Sequence, residues 1–242
     1  MARTIMLAEL GQLLEAVSEP SAPYARYVSA IEQENCLRKR SSRTRTLTKR
    51  HLTELYALRP EIAVFRILRF FWQRDPEGRP LLAVLCAYGR DPLLRESAPY
   101  VLDLREGEPF SRPLLEEHLE ERYPGRFSKA TLKSTTQNLA SSWTQSGHLT
   151  GKVKKVRTAV RATAGATGYA LLLGFLAGGR GEQLFSSEYL RLLDCNTERA
   201  MDLAGVGSAR GWLTFKRIGQ IVEVLFPGLI SDREMEWVRE QS

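Results

Sequence analysis

Residues 124–139 read Pro124-Gly125-Arg126-Phe127-Ser128-Lys129-Ala130-Thr131-Leu132-Lys133-Ser134-Thr135-Thr136-Gln137-Asn138-Leu139. The proline–glycine pair signals a turn. Ser128 is a helix cap, because its hydroxyl can accept from the backbone N–H groups that a first helical turn leaves without partners. The spacing predicts a helix from Lys129 to about Gln145, with Leu132, Leu139 and Trp143 facing inward. Gly147 should close it as a left-handed residue. Upstream, Pro113 opens a helix through Leu114, Leu115, Leu119 and Tyr123. Downstream, residues 148–157 partly alternate apolar and basic side chains, although Val153 and Val156 break a strict two-residue period. A short β-hairpin fits them. Helix, turn, helix, glycine and basic hairpin together predict a winged-helix-like segment over residues 111–162. A helical hairpin followed by a basic loop is the competing reading.

The outward face of the second helix should carry Lys129, Lys133, Thr136, Gln137 and Ser141, with Asn138 near its border. Lysines attract phosphate, and glutamine or asparagine can make paired hydrogen bonds to an adenine edge in a major groove. The hairpin would add Lys152, Lys154, Lys155 and Arg157.

Outward from this segment, the charge is unevenly distributed. The chain has 242 residues, 43% of them hydrophobic, and a formal net charge of +7. The window from Arg122 to Gly181 contains no acid and carries +10. A second window, Cys36 to Arg59, holds Arg38, Lys39, Arg40, Arg43, Arg45, Lys49, Arg50 and Arg59 against Glu54 alone, which is +7. The remaining residues sum to −10. Such segregation is costly through self-repulsion unless a polyanion is the partner; two solvated helix faces are the alternative.

The other segments read as helices near 4–17, 23–37, 45–58, 60–73, 81–89, 92–103, 187–193 and 197–203. A further helix is expected through Trp212, Phe215, Ile218, Val222 and Leu225. Thr197 is read as a helix cap, and Ser231-Asp232-Arg233-Glu234 as a capping box. The fold class is therefore mainly α: multi-helical, with a winged-helix-like subdomain. Three regions follow along the chain: a helical one with the first basic cluster (1–110), the winged-helix-like segment (111–162) and a C-terminal helical one (163–242).

Ala162 to Gly179 has no charged side chain, but it contains five glycines, and its strongly apolar part is only Tyr169 to Ala177. A buried core helix is expected rather than a membrane span. The acid Glu9 inside the first apolar run argues against a signal peptide. Cys36, Cys86 and Cys195 are odd in number and far apart, which fits a reducing compartment and a cytoplasmic protein. No phosphate-binding loop, dinucleotide fingerprint or hydrolase motif is present, and His51, His118 and His148 have no ligand partner at metal spacing. No catalytic residue, metal or cofactor is expected.

Two stretches resemble a known family. Residues 31–37, Ile31-Glu32-Gln33-Glu34-Asn35-Cys36-Leu37, lead into a Ser/Thr/Arg run and a Leu-Tyr-Ala-Leu helix. Ser128-Lys129-Ala130-Thr131-Leu132-Lys133 leads to Asn138-Leu139 and then Gly147-His148-Leu149. Over about residues 25–160 this pattern is similar to the BrxA-type proteins of bacterial BREX (bacteriophage exclusion) systems. The resemblance implies a small, helical, non-catalytic protein that binds double-stranded DNA in phage defence, beside a separate methyltransferase and ATPase. A winged-helix transcriptional regulator and a scaffold that docks on acidic protein are the rival readings.

Overall fold

The computed structural model describes residues 3–219, 221–231 and 233–236. In chain order its elements are α1 (Leu7–Ala16), α2 (Tyr24–Glu32), α3 (Ser42–Tyr56), α4 (Ala63–Arg74), α5 (Arg79–Arg90), α6 (Pro92–Ser97), α7 (Pro99–Leu102), α8 (Arg112–Arg122), α9 (Lys129–Gln145), β1 (Leu149–Thr150), β2 (Val156–Arg157), α10 (Ala164–Leu176), a 3-10 turn (Gly181–Ser186), α11 (Glu188–Arg191), α12 (Thr197–Ala209), β3 (Thr214–Ile218) and β4 (Ile221–Leu225). The class is mainly helical, as expected. The chain forms two compact units, each built from two segments: Met1–Pro60 with Cys86–Ala159, and Glu61–Leu85 with Val160–Ser242. The segment 111–162 expected as a separate region thus lies almost wholly in the first unit, together with most of the N-terminal helices.

In the first unit, short polar side chains start the helices. Ser41 Oγ accepts from Thr44 N at 3.2 Å, Asp91 Oδ1 from Leu94 N at 3.0 Å and Ser128 Oγ from Thr131 N at 3.2 Å. Each such cap contributes about 1 kcal/mol. Tyr27, Ile31, Leu52, Tyr56 and Trp143 are fully buried in the core. The residues that lead into and begin α1 link α3 to α9: Ile5 N–H donates to Ser142 Oγ at 3.0 Å, Leu7 N–H to Gln145 Oε1 at 3.0 Å, and the Tyr56 hydroxyl to the Ile5 carbonyl.

The second unit is organised around α10, which is apolar on every side because it is buried on every side. Its thirteen residues span about 20 Å. No helix among the described residues is long and apolar enough to cross a membrane. The glycines of α10 allow close packing, since a Cβ on Gly168 would lie 2.9 Å from the Phe71 ring. Tyr169 Oη donates to the Val64 carbonyl at 2.9 Å, and Phe71 meets Trp212 edge-on at 6.0 Å. Asp75 is buried, yet accepts from Thr163 Oγ1 at 2.5 Å, Ala166 N at 3.2 Å and Gly78 N at 3.2 Å. Its carboxylate sits at the positive end of α10, which offsets the cost of burial.

Several expected elements are corrected. Residues 214–225 form a hairpin, not a helix. Val222, Val224 and Phe226 are buried alternately, which is the two-residue period of a strand. Gly219, at φ 60°, supplies the left-handed turn. α2 stops at Glu32 rather than Leu37, because Asn35 and Arg38 take left-handed conformations and the Asn35 amide brackets the Lys39 backbone at 2.7 and 3.1 Å. α4 begins at Ala63, since Pro60 and Glu61 are held in a turn. Asn196, not Thr197, caps α12 by accepting from Arg199 N at 2.8 Å. The capping box is present between Ser231 and Glu234 at 2.8 and 3.3 Å; Asp232 within it lies outside the described residues.

Candidate nucleic-acid interface

α8 and α9 pack through Leu115, Leu119, Leu139 and Trp143, all buried. After Gly147, whose φ of 91° fits its expected left-handed role, the chain turns back as the β1–β2 hairpin, pairing Leu149 with Arg157 and Thr150 with Val156. A third extended piece carries no strand signal in the sequence. Residues 107–110 run against β2: Gly107 N–H donates to the Arg157 carbonyl at 2.9 Å, Arg157 N–H to Glu108 O at 2.8 Å and Phe110 N–H to Lys155 O at 2.9 Å. The small sheet therefore runs in the order 107–110, β2, β1. Its first member carries Gly107 and Pro109 rather than a run of strand-forming residues.

Between this sheet and α9 lies a cleft of about 1070 Å³. Gln137, Asn138 and Ser141 line it from α9, and Lys152, Lys154 and Lys155 from the hairpin; Phe110 and Pro113 close the near side. Among the described residues no carboxylate lines it. Val153 projects from the hairpin tip, 96% exposed, between two lysines. Lys155 is half-buried, with Nζ donating to Thr144 Oγ1 at 2.7 Å and to Gly151 O at 3.3 Å. Burial pulls its ammonium below the ordinary lysine value.

Lys129 and Lys133 are exposed on α9 beside the Gln137 face. Thr136 is not on that face. It is buried, and its hydroxyl donates to Glu116 Oε1 at 3.0 Å, tying α9 to α8. Arg157 is also buried, with its guanidinium donating to the His148 and Thr158 carbonyls at 3.4 and 2.5 Å. It braces the hairpin instead of presenting charge.

The first basic cluster is divided between a loop and a helix. Arg38, Lys39 and Arg40 precede α3, and Arg43, Arg45, Lys49 and Arg50 lie on it. Part of this charge is already matched. Lys39 pairs with Glu9 at 3.0 Å, Lys49 with Glu32 at 2.9 Å and Arg50 with Glu54 at 3.5 Å. The Lys49 hydrogen bond holds the Glu32 carboxyl below its ordinary value. Arg38, Arg40 and Arg43 are exposed, with no ion pair among the described residues. Around α9 the balance is different: Lys129, Lys133, Lys152 and Lys154 have no carboxylate partner among the described residues.

One further cation joins this surface without having been expected there. Arg126, in the turn before α9, lies 4.9 Å from the Tyr123 ring and 5.4 Å from the Phe127 ring, and these rings meet edge-on at 6.3 Å. It too has no ion pair among the described residues. An arginine set between two aromatics inside an acid-free run was the available signal.

Among the described residues no group of three potential metal ligands comes together. No protein-family model matches the chain, and no curated protein matches it.

Proposed function

We propose that residues 107–157 form a winged helix that binds double-stranded DNA, with α9 facing the major groove and the β1–β2 hairpin acting as the wing. The observation that carries this reading is the acid-free cleft, where amides from α9 face lysines from the hairpin. Amides read base edges and lysines hold phosphate, so the two kinds of contact needed for a duplex converge on one surface. The unpaired state of Lys129, Lys133, Lys152 and Lys154 among the described residues supports it further, since these cations are not consumed by the fold. The loop cations Arg38 and Arg40, with Arg43 at the start of α3, supply a second, purely electrostatic contact. The protein acts in the cytoplasm without catalysis. On the resemblance to BrxA-type proteins, it serves as an accessory of a BREX-like phage-defence system alongside a methyltransferase and an ATPase.

Gln137 and Asn138 in the cleft favour one second reading, a sequence-selective transcriptional regulator. Fluorescence anisotropy with unrelated duplexes, titrated at several salt concentrations, tests both. Broad binding with a steep salt slope supports the accessory role, and one strongly preferred site supports the regulator. Absence of binding to any duplex removes both and leaves a protein scaffold.

A further inference from the structure

The β3–β4 hairpin of the second unit has one covered face and one bare face. On the covered face Val222 and Val224 are buried, and Phe215 packs on Phe185 at 5.8 Å. On the side of β3, Phe215 N–H donates to Ser208 Oγ of α12 at 3.2 Å and Arg217 pairs with Glu198 at 3.1 Å. The bare face consists of Thr214, Lys216 and Ile218 on β3, directly opposite Leu225, Glu223 and Ile221 on β4. Ile218 is 77% exposed, Ile221 75% and Leu225 43%. Large apolar side chains clustered on one sheet face are uncommon on a monomer's surface. Between them sits a single ion pair, Lys216 to Glu223, at 3.5 Å.

This face is complementary to itself. A two-fold axis parallel to the strands, with the two hairpins stacked at the usual sheet spacing of about 10 Å, lays each β3 over β4 of the second copy. Every residue then meets the residue type it already pairs with in its own chain. Lys216 faces Glu223 of the second copy and Glu223 faces its Lys216, while the Ile218–Ile221 pairs stack on one another and Thr214 lies over Leu225. Both charges find opposite partners twice, and the isoleucines leave water together. A two-fold interface requires this property of its surface.

We propose that the bare face of the β3–β4 hairpin is a homodimerisation surface whose occupant is the same face of a second copy. The patch is small, so the association is weak.

Sedimentation equilibrium of the full chain tests the proposal. Wild type is expected to show a concentration-dependent monomer–dimer equilibrium. Lys216→Glu and Glu223→Lys, each alone, should weaken it by at least about tenfold, because like charges then face each other across the axis. Mixing these two single variants is the decisive arm. Each keeps a broken ion pair within its own hairpin, yet a heterodimer between them brings glutamates opposite lysines at both places. Dimerisation restored only in the mixture supports the proposal and separates it from any loss of hairpin stability. A wild type that stays monomeric to about 100 µM, or single variants that dimerise as well as wild type, or a mixture that stays monomeric, overturns it.

Discussion

Lys155 Nζ donates to Thr144 Oγ1 at 2.7 Å, so the hairpin is tied to the body of α9 by a side chain that also lines the cleft. Burial holds the Lys155 ammonium below its ordinary value of 10.5. In the window between the lowered and the ordinary value, the unfolded chain binds more protons than the folded one. The contribution of this lysine to stability therefore rises with pH there. A phosphate beside the group has the opposite effect, since it favours the charged form. DNA binding should then take up a proton in that window and weaken as pH climbs through it. Lys155→Arg should abolish this component, because a guanidinium stays charged. Binding measured in two buffers of different ionisation enthalpy checks it; equal proton uptake by wild type and Lys155→Arg would contradict the assignment.

The two basic regions should not contribute equally. Lys129, Lys133, Lys152 and Lys154 lack ion pairs among the described residues, whereas Lys39 and Lys49 are held by Glu9 and Glu32. Replacing the first four by alanine should reduce the log–log salt slope by up to about 0.9 for each phosphate that is no longer neutralised. Replacing Lys39 and Lys49 should leave the slope nearly unchanged and lower the melting temperature slightly. A larger slope change from the second pair than from the first four would show that the contact surface lies on α3 and the loop before it.

Gln137→Ala and Asn138→Ala should leave the salt slope intact, since neither side chain carries charge. They should lower discrimination between duplexes by about 1–3 kcal/mol for each paired hydrogen bond to a base that is removed. Competition binding against a randomised duplex pool reads this directly. Unchanged base preference in both variants would remove α9 as the reading element.

Trp143 Nε1 donates to Ser97 Oγ at 2.8 Å in the core, fixing α9 against α6. Ser97→Ala leaves the indole N–H unpaired in a fully buried site and should cost about 1–3 kcal/mol. Chemical denaturation followed by Trp fluorescence measures it, and DNA affinity in the folded protein should be unchanged.

The segment from Pro113 to Gly147 was legible because each signal in it is local: a proline at a helix start, a serine cap, a glycine close. What could not be read depends on partners distant in sequence. Thr136 has the spacing of a surface residue and is internal because Glu116 on α8 takes its hydroxyl. Arg157 looks like one more cation of a basic wing, yet folds back on His148. Lys39 gives no sign in sequence that Glu9, thirty residues earlier, neutralises it. The apolar residues of 212–225 fit a helical spacing as well as a strand one, and the burial that separates the two comes from packing. The cleft was foreseeable in its α9 and hairpin walls but not in the wall that residues 107–110 supply.

The second unit takes α4 from one part of the chain and α10 from another, and Tyr169 reaches the Val64 carbonyl across 105 residues. During synthesis at about 5–20 residues per second, α4 emerges from the ribosome some 5–20 seconds before the helix that covers it. Through that interval Phe65, Ile67, Leu68, Phe71 and Trp72, all buried in the finished fold, have no native cover from α10. The nascent chain thus passes through a sticky stage set by segment order alone, and truncation anywhere between Arg74 and Ala164 would make it permanent.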